Sequence, residues 1–172
     1  MILRNRTHLD TSVLQAMCLE AVAGWPTDGL NVWVRYSRGA DFSGVCYYKT
    51  GRVFINLGRH LKYPYQLRTH LARARSGRNC WWREMYTLEI GDAYQLVLFI
   101  YLHEFYHWLV RRARRNTRQK EGMCDRFAAR VIVDRWGGVV RDGEGRVIGR
   151  EEWDFQDLEG FVWAARQRAV AV

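Results

Sequence analysis

Two histidines and a glutamate lie close together inside a long apolar segment of the chain. They are His103, Glu104 and His107. On a helix, side chains four positions apart share one face, so both imidazoles could bind one metal ion. Glu104 projects about 100° further round the helix, close enough to the open coordination position to hold a water and accept its proton. This HExxH spacing predicts a zinc site with its general base in place.

The surrounding residues favour a metal site over a chance match. Residues 90–110 are apolar on almost every side of a helix, so we expect this helix to be buried. Buried ionisable groups are costly unless something pairs with them, and a bound cation would do so. The alternative is that both histidines are ordinary core or surface residues.

A membrane span over Ala93–Val110 is disfavoured by four polar side chains inside it: Gln95, His103, Glu104 and His107.

The third metal ligand is predicted to be a carboxylate. A catalytic zinc uses three protein ligands, and no histidine follows His107. The spacing of apolar residues predicts a second helix from Glu121 to Val133, with Glu121 and Asp125 on one face. Glu121 is the candidate ligand, and Asp125 would accept a ring N–H from a ligating histidine. One alternative is that Glu121 is only a carboxylate stabilised by the dipole at the N-terminus of its helix. Another is that Asp125 or Asp134 binds the metal instead.

The cysteines are predicted to be reduced, buried thiols. Their positions are scattered and contain no C-x-x-C spacing, which argues against a disulfide framework or a second zinc site. They are Cys18, Cys46, Cys80 and Cys124. We expect the side chain of Cys124 to point away from the face that Glu121 and Asp125 share, although its approach to the metal is an alternative.

The two-helix pattern resembles that of a known class of enzymes. His103-Glu104-x-x-His107 followed by Glu121-x-x-x-Asp125-x-Phe127-Ala128 is similar to the gluzincin metallopeptidases, and among them to the ImmA/IrrE-type proteases and the minigluzincins. The resemblance spans about residues 45–135 and is specific only in the two helices. It implies zinc ligation by His103, His107 and Glu121, acid–base work by Glu104, and support from Asp125.

A basic cluster follows the first of these helices. The formal net charge is +9, the pI is about 9.8, and arginines crowd the end of the helix: Arg111, Arg112, Arg114, Arg115 and Arg118. Such a cluster can bind phosphates, as in a SprT/Spartan-like protease acting on nucleic acid, but that class has a third histidine ligand. The alternatives are a solvated helix end that complements the helix dipole and a patch for an acidic protein.

The remaining elements predict an α+β fold, and their order resembles that of zincin domains, so the expected fold is zincin-like. A small antiparallel sheet is expected to pack on the HExxH helix and the second ligand-bearing helix. An amphipathic helix over Asp10–Gly24 comes first, and a strand over Leu30–Arg38 follows. Residues Val45–Tyr48 and Arg52–Leu57 form a hairpin. In zincins the edge strand bounds the cleft and pairs with extended substrate; here Arg52–Leu57 is the candidate edge, or an ordinary half-buried strand.

The rest of the chain is assigned to a helix and a C-terminal extension. Tyr65–Ala74 is predicted to be helical, and the aromatic patch Trp81–Tyr86 is expected to be core or cleft wall. Residues 139–149 have hairpin turn chemistry, and Trp153–Arg168 is predicted to be a closing helix. The 172 residues suit one domain, with a core over about 30–136 and an extension over 137–172.

The predicted function is a zinc-dependent metallopeptidase, an endopeptidase acting on a protein or peptide. Zinc would polarise the scissile carbonyl and its water, with Glu104 as general base. The alternatives are a nucleic-acid-associated protease, a basic binding module with structural zinc, and a metal-free remnant.

No secretory signal is recognised at the N-terminus, which predicts a cytoplasmic protein. Several residues could stabilise the oxyanion: Tyr86, Tyr94, Tyr101, Tyr106, His60 and His70.

Overall fold

The computed structural model describes residues 1–118 and 120–163. Its helices are α1 (Thr11–Ala21), α2 (Ala93–Arg112), α3 (Glu121–Trp136) and α4 (Arg150–Trp153). Its strands are β1 (Ile2–Asn5), β2 (Asn31–Tyr36), β3 (Phe42–Tyr47), β4 (Arg52–Leu57), β5 (Tyr65–Thr69), β6 (Ala74–Ser76), β7 (Trp81–Arg83), β8 (Tyr86–Ile90) and β9 (Val140–Arg141). This mixture confirms the α+β class.

The main sheet is mixed, and the prediction of an antiparallel sheet was wrong. Its strand order is β1-β2-β4-β3, in which β1, β2 and β4 are parallel and only β3 runs antiparallel to β4. Helix α1 connects β1 to β2, as a parallel pair requires. Val32, Val34, Val53 and Ile55 are fully buried on the inner face, which α1 and α2 cover.

The edge strands of this sheet are β1 and β3, and the predicted edge Arg52–Leu57 is wrong. Strand β4 hydrogen-bonds to β2 on one side and to β3 on the other, so it is internal. The second side of β3 has no strand partner among the described residues. Since α2 packs against β3, the free edge lies beside the HExxH helix.

Helix α1 begins and buries one face as its sequence predicts. Asp10 caps it by accepting hydrogen bonds from the backbone N–H groups of Ser12 at 2.7 Å and Val13 at 3.1 Å. Leu14 and Cys18 are 1% exposed and pack in the core. The observed helix is shorter than the predicted Asp10–Gly24 by one residue at its start and three at its end.

The predicted helix Tyr65–Ala74 is absent: residues 65–69 form strand β5, and Ala74 begins β6. Strand β5 pairs antiparallel with β8, which also pairs with β9. Leu67 and Thr69 are buried while Gln66 and Arg68 are exposed, a period of two that the pairing with β8 enforces. Strands β6 and β7 form a separate hairpin that carries Trp81, 73% exposed.

Helices α2 and α3 form the pair that the motif requires. Asp92 caps α2 through a hydrogen bond from the backbone N–H of Gln95 at 2.8 Å. Gly137 ends α3 with a left-handed φ of 69°. His107 lies opposite Glu121 while His103 lies opposite Asp125, so the two helices run antiparallel.

The C-terminal extension packs against α3 and β8. Val140 in β9 pairs with β8, and Arg141 bridges to Val147 across the predicted hairpin. The buried guanidinium of Arg126 in α3 donates to the carbonyl of Trp153 at 2.8 Å. Of the predicted helix Trp153–Arg168, Trp153 ends α4, residues 158–163 are helical, and residues 164–168 lie outside the described residues. Across the described parts of the chain, none of the helices has the length and apolar character needed to span a membrane.

Candidate metal centre

Helix α2 presents both histidines of the motif to one carboxylate of α3. Nε2 of His103 lies 3.2 Å from Oε2 of Glu121, and Nε2 of His107 lies 3.2 Å from Oε1 of the same group. The two imidazole rings are 5.0 Å apart between centroids. The structure therefore brings together the three residues predicted as ligands.

The spacing of these three side chains fits a shared tetrahedral ion. Zinc bonds of 2.0–2.1 Å in tetrahedral geometry place neighbouring ligand atoms about 3.4 Å apart. The two nitrogen–oxygen distances are each 3.2 Å, so an ion could bind all three groups with little movement. Two neutral imidazoles and a carboxylate are also a donor set that catalytic zinc accepts.

Asp125 lies behind His103, as the sequence predicted. Nδ1 of His103 is 2.7 Å from Oδ1 of Asp125, which is 5% exposed. The other oxygen, Oδ2, accepts from the backbone N–H of His70 at 2.6 Å and lies 3.2 Å from Nδ1 of its ring. Asp125 thus fixes the orientation of one ligating histidine and also holds a third histidine at the site.

Glu104 is buried beside the edge strand β3. Its relative exposure is 8%, and the backbone N–H of Cys46 in β3 hydrogen-bonds to its carboxylate. Burial raises the pKa of Glu104 above its ordinary value, while His103 and His107 oppose that shift. A carboxylate with a raised pKa accepts protons more readily near neutral pH, as a general base must.

Gly44 permits this close approach and was missed in the sequence. A Cβ at Gly44 would lie 2.5 Å from Oε1 of Glu104 and 2.7 Å from a methyl carbon of Ile100. A glycine within an alternating strand is a known signal of close contact between backbone and a neighbouring group. The sequence Phe-Ser-Gly-Val-Cys-Tyr of β3 contains that signal.

The thiol of Cys124 also reaches the site, and the prediction that it would point away was wrong. Ligand atoms of His103, His107 and Cys124 all lie within 4.8 Å of one another, so this group could hold a metal ion. The reason is that residues 121, 124 and 125 are related by steps of three and four, which share a helix face. The burial prediction holds for Cys18 and Cys124, whereas Cys80 is exposed and Cys46 is half-buried; all four are free.

The ionisable side chains of the site shift the pKa values of one another. Burial disfavours the protonated form of His103, but the carboxylates of Asp125 and Glu121 raise its pKa to about 10. Burial likewise opposes ionisation of Asp125, yet its bonds to His103 and His70 lower its pKa to about 2. Hydrogen bonds from His103 and His107 hold the pKa of Glu121 well below its usual range. The two carboxylates therefore favour the protonated form of His103 in the metal-free protein.

One polar atom of the ligand set has no partner. Nδ1 of His107 is buried without a hydrogen-bond acceptor or donor among the described residues. His107 itself is 6% exposed. Within the described part of the chain, the polar contact of this ring is the one from Nε2 to Glu121.

A cleft opens over His103 and Glu121, two of the three predicted ligands. It has a volume of about 260 Å³, and its lining includes Phe42 and Gly44 of β3, Arg68, His70, His103, Glu104 and Glu121. A neighbouring cavity of about 360 Å³ shares His70 and Glu121 with it and is lined on its far side by Trp81 and Met85. The predicted aromatic patch therefore forms part of a cavity wall next to the site.

The basic cluster divides into engaged and free side chains. Arg112 donates to the carbonyl of Asp28 at 3.2 Å and lies over the ring of Trp108, and Arg115 lies over Phe161 at 5.3 Å. Arg111, Arg114 and Arg118 are exposed to solvent. The cluster is therefore partly structural.

Among the oxyanion candidates, only His70 lines the cleft. Tyr101 is fully buried beside Met1, Tyr106 donates to the carbonyl of Leu158, and Tyr86 bonds to Glu84. Tyr94 accepts from the backbone N–H of Asp10, and His60 is exposed elsewhere. Sequence spacing could not single out His70, because strand β5 brings it to the site from a distant part of the chain.

Comparisons with protein-family models, with curated proteins and with solved structures found no match.

Proposed function

We propose that this protein is a zinc-dependent metallopeptidase that uses His103, His107 and Glu121 as ligands. The observation that carries the proposal is the Glu121 carboxylate, whose two oxygens each lie 3.2 Å from an Nε2 atom. A bound cation would supply positive charge to this carboxylate. Zinc suits this imidazole and carboxylate set, and when bound it acts as a Lewis acid toward the scissile carbonyl and water.

Glu104 is assigned the role of general base and acid. It lines the same cleft as His103 and Glu121, and the Cys46 N–H donates to its carboxylate. Glu104 accepts a proton from the attacking water and passes it to the leaving amine. Its burial keeps competing bulk water away from this carboxylate.

The free edge of β3 is assigned to substrate binding. It lies beside Glu104, and its outer backbone groups have no strand partner among the described residues. An extended peptide can pair with such an edge through backbone hydrogen bonds, which places its carbonyls along the cleft. Phe42 and Phe99 line the cleft and would contact the side chains of the peptide.

His70 is assigned to stabilise the developing oxyanion. Its backbone and Nδ1 are held by Asp125, while the side chain is 60% exposed and borders both the cleft and the neighbouring cavity. The bond to Asp125 raises the pKa of His70, which favours a ring that donates hydrogen bonds. Such a donor is stabilising where negative charge develops on the carbonyl oxygen.

A second candidate is a binding module in which the metal is structural. The thiol of Cys124 supports it, because His103, His107, Glu121 and Cys124 together could close a tetrahedral site. The exposure of the two groups favours the catalytic alternative: the side chain of Glu121 is 53% exposed and lines the cleft, whereas Cys124 is fully buried. Absorption of the cobalt-substituted protein separates them, since only thiolate coordination gives a sulfur-to-metal charge-transfer band.

Cleavage of an unfolded protein tests the proposed activity. The zinc-loaded wild type is compared with Glu104→Gln and with Glu151→Gln, a control that removes an exposed carboxylate of α4. Cleavage should occur in the wild type and the control and should stop when a chelator is added. Glu104→Gln should keep its metal and lose activity by at least about 10²-fold. Equal activity of Glu104→Gln and wild type would refute the assignment of the base.

A further inference from the structure

We propose that the outer face of the main sheet binds single-stranded nucleic acid. This outer face consists of the side chains of β1–β4 that point away from α1 and α2. Ile2, Val45 and Tyr47 on it are 54%, 43% and 56% exposed, so no described element covers it. The inference is independent of the metal centre, which lies on the other side of the sheet beside α2.

Strand register arranges the outer face in rows of arginine and aromatic side chains. Arg4 pairs with Trp33, Trp33 with Phe54, and Phe54 with Val45, which makes one continuous row across four strands. The next row contains Arg52 paired with Tyr47. Neighbouring strands lie about 4.8 Å apart, so these side chains form a closely spaced surface.

The aromatic rings and guanidinium groups of this surface stack on each other. The rings of Trp33 and Phe54 lie 5.1 Å apart at an interplanar angle of 20°. Arg4 lies 5.0 Å from the centroid of Trp33, and Arg35 lies 4.8 Å from that of Phe54. Tyr47 meets Phe54 edge-on at 5.7 Å. Nucleic-acid bases stack on aromatic rings and on guanidinium planes, and this face offers both.

The charge of the outer face complements phosphate. None of the strands β1, β2, β3 and β4 contains an Asp or Glu. Arg4, Arg35 and Arg52 are exposed, and among the described residues none of them makes an ion pair. Of these three arginines, Arg35 alone hydrogen-bonds to a described polar side chain, donating from Nε to Asn56 at 2.7 Å. Three guanidinium groups fixed in place without carboxylate partners favour a polyanion over an uncharged partner.

A cavity extends the surface toward the basic cluster. Tyr47 and Tyr48, at the end of β3, line a space of about 440 Å³ together with Lys49 and Arg111. The exposed Lys49 and Arg111 continue the positive charge beyond the sheet edge. A strand of nucleic acid crossing the outer face could therefore follow basic side chains from Arg4 to Arg111.

The shape of the surface favours single strands over duplex. The major groove of DNA admits a helix or a two-stranded ribbon, and a four-stranded sheet face is too wide to enter it. In a duplex the bases are already stacked on each other and are closed to protein side chains. Unpaired bases can lie on the exposed Tyr47 and on the arginine planes, with about two or three bases across the sheet.

The first experiment measures binding of fluorescein-labelled oligothymidylate by the full chain, using fluorescence anisotropy at several salt concentrations. The test variant carries Arg4→Glu, Arg35→Glu and Arg52→Glu. The matched control carries Arg38→Glu, Arg59→Glu and Arg78→Glu, which causes the same change of net charge at exposed sites outside the surface. We expect the test variant to bind about tenfold or more weakly than the control, with a salt slope smaller by about three.

A second variant separates stacking from charge and does not depend on the stability of the triple variants. Tyr47→Ala removes one exposed ring at the edge strand without changing the charge. It should weaken binding about fivefold or more, while Tyr63→Ala, away from the surface, should leave binding unchanged. Duplex of the same length should bind more weakly than the single strand.

Three results would overturn the proposal. The first is an equal loss of affinity in the two triple variants, which would indicate attraction by net charge alone. The second is unchanged binding by Tyr47→Ala. The third is binding of polyglutamate or anionic lipid vesicles with the same dependence on Arg4, Arg35 and Arg52, which would assign the surface to an acidic protein or a membrane instead.

Discussion

His103 donates a hydrogen bond from Nδ1 to Asp125 across 2.7 Å, and this bond determines which nitrogen faces the metal position. A carboxylate acceptor keeps a hydrogen on Nδ1, so Nε2 presents its lone pair toward Glu121 when the ring is neutral. Asp125 would therefore influence metal binding by orienting the ring of His103. The five-residue segment Glu121–Asp125 contains both the proposed third ligand and the residue that orients His103, the proposed first ligand.

Asp125→Asn should lower zinc affinity without removing a ligand. The loss should be about 10–100-fold, because an amide fixes the ring of His103 less well than a carboxylate does. Competition with a chromophoric chelator measures it. Asp134→Asn is the control, since Asp134 is half exposed and pairs with Arg150 away from the site. Equal losses in both variants would show that Asp125 has no special role.

Gly44→Ala should abolish cleavage while the protein keeps its metal. The new Cβ would approach Oε1 of Glu104 to 2.5 Å, so either the carboxylate or β3 must move. Overpacking of this kind costs about 1–3 kcal/mol of stability. Gly39→Ala is a matched control, because a Cβ at Gly39 meets nothing within 4 Å. Activity, metal content and melting temperature are compared; full activity of Gly44→Ala would contradict the close contact.

His70→Ala should reduce kcat far more than it changes KM. Loss of an oxyanion donor costs about 10²–10³ in kcat. Metal content should stay near that of the wild type, because His70 contacts Asp125 rather than a proposed ligand. His60→Ala, at an exposed site outside the cleft, should behave as wild type. A change in KM alone would assign His70 to substrate binding instead.

The metal-free protein should lose stability as the pH rises toward 10. The folded-state pKa of His103 is about 10, above its ordinary value of 6.5, so the folded state binds this proton more tightly. That contribution is complete below pH 6.5 and is lost as the pH rises through about 10. Thermal unfolding of chelator-treated protein should show the decline. In Asp125→Asn, which lacks the main carboxylate partner, the decline should be shallower, and identical curves would contradict the assignment.

The helices that carry the site were predictable from local sequence, and the strands that complete it were not. His103, Glu104 and His107 lie in one continuous apolar helix, and Glu121 and Asp125 are one turn apart. The spacing of these residues in the sequence is therefore enough to predict which of them share a helix face. Strand β5 was mistaken for a helix because Leu67 and Thr69 become an inner face only when β8 pairs with them. The parallel pairing of β1, β2 and β4 depends likewise on contacts between distant segments.

Two residues of the site show where the interpretation of spacing failed. A step of four places Asp125 on the face of Glu121, and a step of three places Cys124 on the same face, contrary to the prediction that its thiol points away. Gly44 carries no chemistry of its own, so a search for reactive side chains passes over it. Its role follows only from the packing of β3 on α2.

Metal content of purified wild type, Glu121→Gln and Cys124→Ser tests the central claim most directly. The account predicts about one zinc per chain in the wild type, as a single tetrahedral site requires. It predicts strong loss in Glu121→Gln, and retention of both zinc and cleavage in Cys124→Ser. Retention of zinc in Glu121→Gln with loss in Cys124→Ser would contradict it and identify a site of His103, His107 and Cys124.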